Sequence, residues 1–208
     1  MATPSPWPLI HQEREALADD LATPTSEQWS TQSLCPGWTV RDALGHLIAT
    51  AKTTQGSFLA NLARARFRFN DMNAALIRRE STPEPAAGLA EFRRHITDTT
   101  RPPGPAEAML GEIVVHGEDI RRPLGITHKY PSEALTRVAD FYKGSNLLIG
   151  TKRRIAGLTL RATDTGWTTG TGPEVAGPHL SLLLAMTGRS AALADLSGDG
   201  LATLRSRA

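Results

Sequence analysis

Proline and glycine cut the first two-thirds of this 208-residue chain into helix-length pieces, and that punctuation constrains its fold more than any other feature. Pro24, Pro36 and Gly37, then Pro83 and Pro85, then the Arg101-Pro-Pro-Gly-Pro connector, then Pro123 and Gly125 separate segments rich in helical apolar spacing. A proline inside a helix removes a backbone donor and clashes with the preceding turn, so helices end at such points. Leu9, Ile10, Leu17 and Leu21 mark a first helix, and Thr23 to Trp38 reads as a loop. Thr39 is placed to cap the next helix, with Asp42 at the fourth position and Val40, Leu44, Leu47, Ile48 and Ala51 on one apolar face. Phe58 to Ile77 reads as a continuous helix after a break at Gly56, Ala86 to Thr97 as another, and Ala106 to about Arg122 as the last before Pro123. Such a series predicts an antiparallel helical bundle.

After Pro131 the pattern changes. Ser132 can cap a helix through Leu135, Val138 and Phe141 towards Ile149. From Leu158 the residues alternate with a period of two, as a strand does, with a turn at Asp164 and Gly166 and a second at Gly170 to Pro173. His179 to Thr187 reads as a short Leu-rich helix ended by Gly188. The expected division is a helical domain over residues 1–150 and a small α+β domain over 151–208.

Composition narrows the function classes. The single cysteine, Cys35, excludes an internal disulfide or a zinc site of several thiolates, and fits a reducing cytosol. No apolar run reaches the ~18 residues of a membrane helix, and the first residues lack the basic start and apolar centre of a signal peptide. A cytoplasmic protein is expected, without nucleic-acid or membrane partners, as a monomer or small homo-oligomer. The 23 Lys and Arg against 21 Asp and Glu leave a charge of only +2, and aromatic residues make up 5%. A nucleic-acid binder would show a denser basic stripe with stacking residues. The clusters Arg64, Arg66 and Arg68, then Arg78 and Arg79, then Lys152 to Arg154 read as solvated helix faces.

Among six histidines, His116 stands out because Glu112 lies one turn before it, near the border of an apolar stripe. A carboxylate and an imidazole at that spacing can hold a divalent metal if another helix adds a ligand; an exposed Glu–His pair is the plainer alternative. His46 in Ala-Leu-Gly-His-Leu-Ile is the natural third ligand, with Gly45 allowing close approach. Periodicity alone does not bury His46, and Asp42 offers it a surface partner instead. His11, His95, His128 and His179 show no convincing partner.

The segment Ser33-Leu-Cys-Pro-Gly-Trp-Thr-Val-Arg-Asp-Ala-Leu-Gly-His-Leu resembles the entry to the second helix of the mycothiol-dependent maleylpyruvate isomerase family, part of the DinB-like metal-binding superfamily. Glu112-x-x-x-His116 matches that family's other two ligand positions, and Thr163-Asp-Thr-Gly-Trp, Gly172-Pro-Glu-Val and Met186-Thr-Gly-Arg extend the resemblance more weakly. It implies a mainly α fold, an up-down-down-up four-helix bundle with a small α+β unit. It also implies a divalent ion, usually zinc, held by His46, Glu112 and His116, with mycothiol as the thiol cofactor or cosubstrate. Against that resemblance the chain is expected to be shorter than a full isomerase, mainly in the carboxyl unit.

Three protein ligands leave one coordination position open, as catalytic sites do. A low-molecular-weight thiol bound there is held as thiolate. Its addition to an activated cis double bond of a small anionic substrate, rotation and elimination would give the trans isomer; S-transfer to an electrophile is the other outcome. Arg189 resembles the family arginine that clamps the substrate anion, its planar fork suiting a carboxylate, while a helix-end role is equally open. Arg41 is expected to tie the entry loop down, Trp38 to pack in the bundle, Cys35 to pack in the loop without a base, and Glu118 or Asp119 to orient a ligand imidazole. The rival functions are a non-catalytic metal-binding stress-response protein and a metal hydrolase.

Overall fold

The computed structural model describes residues 4–146 and 149–208 and divides them into two compact units, one ending at His128 and one beginning at Lys129. In the first unit the helices are α1 (Trp7–Asp20), α2 (Val40–Lys52), α3 (Gln55–Arg64), α4 (Phe69–Glu80), α5 (Pro85–Arg94) and α6 (Ala106–Arg121). Helices α1 and α2 each pack against both α5 and α6, which closes a four-helix ring, and α4 lies along the outside of α2. Ile10, Leu17, Val40, Leu44 and Ile48, from the apolar faces read from the sequence, are buried, and Phe92, Leu110, Ile113 and Ile120 are buried with them.

The predicted cap holds at Thr39, whereas Ser132, the other predicted cap, is itself the first helical residue after Pro131, and no side-chain cap bond forms there. Thr39 accepts from the Asp42 amide, and the Asp42 carboxylate accepts from the Thr39 amide at 2.9 Å, a reciprocal capping box. The expected single helix from Phe58 to Ile77 is instead two, α3 and α4. Between them Arg66 and Phe67 adopt positive φ angles of 53° and 62°, which ends the first helix. No proline or glycine marks this break, so hydrophobic spacing ran through it. Phe58, Leu62, Ala65 and Phe69 fold over Met72, Leu76 and Ala49, and this packing favours the hairpin.

Two contacts fix the framework around α2. Gly45 faces the end of α4 so closely that a Cβ there would lie 2.5 Å from Ser81 Oγ and 3.3 Å from the Ile77 carbonyl. The buried Arg14 of α1 donates to the carbonyls of His95 (3.0 Å) and Asp98 (2.9 Å), groups that the end of α5 leaves without helical partners. Burial lowers this guanidinium to about 10, which still leaves it charged at neutral pH.

The second unit contains α7 (Ser132–Lys143), α8 (Thr151–Arg154), β1 (Thr159–Ala162), β2 (Thr168–Gly170), β3 (Glu174–Gly177), α9 (His179–Met186) and α10 (Leu201–Arg205). The helix expected to run towards Ile149 ends at Lys143; its continuation crosses residues 147 and 148, outside the described residues. Helix α7 packs on α9 within this unit, whereas the sequence pattern grouped it with the bundle. The sheet order is β2-β1-β3, with β1 antiparallel to β2 and parallel to β3. Strand β3 and α10 have no counterpart in the sequence reading because each is too short to establish a period. Among the described residues no helix is long and apolar enough to cross a membrane.

Two predictions follow from packing. His179 is fully buried, stacked on Trp167 at a ring separation of 4.7 Å, with Nδ1 3.1 Å from Thr165 Oγ1. Burial pushes its imidazole below the ordinary histidine value, against the raising influence of Asp164 and Asp140. The unfolded chain binds the proton more readily, so this contribution is complete above about pH 6.5 and is lost as pH falls below it. Urea unfolding across this range should show stability falling with acid, and His179→Phe should make the fall shallower; an unchanged slope refutes the assignment. Gly45→Ala should cost about 1–3 kcal/mol, because α4 must move away from α2. A melting temperature equal to that of the parent would show that the contact is loose.

Candidate metal centre

The site grows from the connector before α2. Gly37, at a φ of 78°, turns the chain so that the Trp38 amide donates to the Cys35 carbonyl (3.1 Å) and the Ser33 amide to the Trp38 carbonyl (2.9 Å). The Leu34 amide then donates to the Asp119 carbonyl at 3.1 Å, which fastens this loop to α6. In consequence Trp38 does not pack inside the bundle as expected. Its indole lies over two imidazoles, 5.8 Å from the ring of His116 in a near-parallel stack and 5.1 Å from that of His46.

His46 from α2 and Glu112 and His116 from α6 meet beneath it. His46 Nε2 is 2.7 Å and His116 Nε2 3.4 Å from the same oxygen, Glu112 Oε2. All three are partly shielded from solvent, and each offers one donor atom within 4.8 Å of the others. A tetrahedral zinc ion with bonds of about 2.0–2.1 Å sets neighbouring donors about 3.3 Å apart, so small adjustments would accommodate one.

The far nitrogens carry more information than the near ones. His116 Nδ1 is 2.8 Å from Asp119 Oδ2, on a carboxylate with no exposure, and His46 Nδ1 is 3.1 Å from Asn73 Oδ1 on α4. Each imidazole therefore has an oxygen acceptor at both nitrogens. A neutral ring has one proton and donates to one of them. With the protons at Nδ1, two Nε2 lone pairs and the Glu112 carboxylate converge on one point, a donor set that a cation satisfies. Adding second protons instead is opposed at His116, where burial lowers the imidazole below its ordinary value more than the Asp119 hydrogen bond raises it.

Several sequence expectations change here. Asp42 is engaged in its capping box, so it is Asn73, from the far side of the unforeseen helix break, that partners His46. Asp119 orients His116 as expected, while Glu118 pairs with Arg122 at 3.2 Å. Cys35 does have acid–base groups beside it: Sγ is 3.0 Å from Asp119 Oδ2 and 3.7 Å from His116 Nδ1. Cys35, His116 and Asp119 form a second cluster of possible ligands, sharing His116 through its other nitrogen. Arg41 does not tie the loop through its Nε, which is buried without a hydrogen-bond partner among the described residues. His95 pairs with Asp98 (2.6 Å) and His128 with the buried Glu13 (2.8 Å), partners the sequence did not reveal. In the second unit, Arg189 Nη1 donates to the Thr187 carbonyl at 3.0 Å, just past α9.

Comparison with known proteins agrees with this architecture. No curated protein matches. Two solved structures do, the mycothiol-dependent maleylpyruvate isomerase at 15% identity and a histidine-to-alanine mutant of it at 14%. Each has a TM-score of 0.63, and each match covers 93% of this chain and 91% of the other. The expected shortening of the carboxyl unit is thus not evident against these structures. Residues 10–121 match the model of the mycothiol maleylpyruvate isomerase N-terminal domain, a span that includes the connector, His46, Glu112 and His116. The chain belongs to the mycothiol maleylpyruvate isomerase family.

Proposed function

We propose that this protein is a metal- and mycothiol-dependent enzyme that isomerises a small anionic cis-alkene or transfers the thiol to a small anionic electrophile. The observation that carries this reading is the convergence of two imidazole Nε2 atoms and Glu112, with Asp119 and Asn73 engaging the opposite ring nitrogens. His46, Glu112 and His116 would hold one divalent ion, zinc by the nature of the donor set, as an N2O centre with room for a further ligand. Such an ion would supply Lewis acidity, which favours the deprotonated form of a low-molecular-weight thiol.

The protein's own residues prepare that chemistry. Asp119 holds a proton at His116 Nδ1 and so keeps the Nε2 lone pair available; Asn73 Oδ1 does the same for His46. Trp38 covers both rings and limits water on that side. Arg189 is the proposed anion clamp, a role distinct from its bond to the Thr187 carbonyl.

Metal analysis of protein purified without added metal should show one bound divalent ion, lost in His46→Ala and His116→Ala. Asn73→Ala and Asp119→Asn should weaken affinity about 10–100-fold. Equal metal content in parent and ligand variants eliminates the centre. With cobalt bound, adding mycothiol should produce an intense near-ultraviolet sulfur charge-transfer band. A filled site without that band points to a metal-binding protein without thiol chemistry. Arg189→Ala should preserve metal content and folding but lower kcat/KM by about 2–4 kcal/mol of transition-state binding, with only partial recovery in Arg189→Lys. Unaltered turnover would leave Arg189 in its helix-end role.

A further inference from the structure

Arg64, Arg66, Arg68 and Arg79, read from sequence as solvated helix faces, are gathered by the break between α3 and α4. The two helices enclose an open cleft of about 410 Å³, lined by Arg64, Arg66, Arg68 and Arg79 and by one carboxylate, Asp71, with apolar lining from Ala65 and Ala75. This volume is that of a small-molecule pocket. Asp71 is paired with Arg68 at 3.0 Å, and Arg79 leans on Glu80, which also receives Lys52 at 2.8 Å. Arg64 donates to the uncharged Asn61 at 2.7 Å. The cleft therefore has a strong excess of fixed positive charge.

Backbone conformation adds an independent observation. Arg66 and Phe67 both have positive φ, a conformation costly for residues with a Cβ and seldom found in succession. Glycine would remove that cost at either position. The chain instead places an arginine at the cleft and, next to it, an aromatic ring that is 77% exposed. Strained backbone carrying charged and apolar side chains at a cleft fits a binding surface better than a plain turn.

We infer that this cleft binds a soluble small molecule with two or more anionic groups, carboxylate or phosphate, on an apolar body. Two guanidinium groups can each grip an oxyanion through a planar pair of donors, and the accessible apolar lining at Ala65 and Ala75 accepts the body. The site uses none of the residues assigned to the metal centre.

Isophthalate, with benzoate as the singly charged control and inorganic pyrophosphate as the control without an apolar body, tests this by calorimetric titration of the full-length protein. Isophthalate should bind saturably, at least fivefold more tightly than benzoate and more tightly than pyrophosphate, and weaken with added salt. Arg66→Gly should reduce isophthalate affinity at least fivefold while leaving the melting temperature equal or higher, because the strain is relieved. The double variant Arg64→Gln/Arg68→Gln should lose binding, whereas His46→Ala should retain it, separating this site from the metal centre. Failure of isophthalate to saturate, or equal affinity in parent and Arg66→Gly, overturns the inference. So does binding only to phosphatidylglycerol vesicles and not to the free dianion, which would make the surface a membrane contact.

Discussion

A carboxylate cut off from water must be hydrogen-bonded or it will be expelled or neutralised, and Asp119 meets that demand in a way that organises the first unit. Its side chain has no exposure and accepts from Cys35 Sγ and His116 Nδ1, while its backbone carbonyl accepts from Leu34. One residue at the end of α6 thereby fixes the connector, the tautomer of a candidate ligand and the position of Trp38. The loop and the centre are a single hydrogen-bonded construction.

This explains which parts of the site were legible. Thr39 and Asp42 announced the start of α2, because a capping box is a local pattern of side chain and backbone. Glu112 and His116 were readable as a pair because they lie one helical turn apart. His46 was harder: helical periodicity set it away from its apolar stripe, and only the connector motif tied it to the other two. Its shielding comes from α4 and Trp38, which lie outside the α2 face that periodicity measures. Cys35 and Asp119 are 84 residues apart, and no local rule joins them.

The break between α3 and α4 shows where such reading must fail. Apolar residues at Phe58, Leu62, Ala65, Phe69, Met72 and Leu76 continue a helical rhythm across it. When the chain doubles back, Phe58, Leu62, Ala65 and Phe69 pack against Met72, Leu76 and Ala49, and this packing offsets the cost of two left-handed residues. That reversal delivers Asn73 to His46 and collects four arginines around one cleft. In the second unit, β3 is similarly invisible: its four residues acquire strand character by pairing in parallel with β1.

The electrostatics of the candidate centre bear on what it could select. Two neutral imidazoles and one carboxylate would balance only half the charge of a divalent ion, and the net positive charge would favour an anionic further ligand. Burial at His116 opposes a second proton on that ring. Mixed nitrogen and oxygen donors suit zinc and its neighbours better than magnesium or calcium, which prefer oxygen and larger shells. With Asp119 and Asn73 engaging the outer nitrogens, the rings need not turn to present their lone pairs. The ordering cost of such a donor set is met during folding.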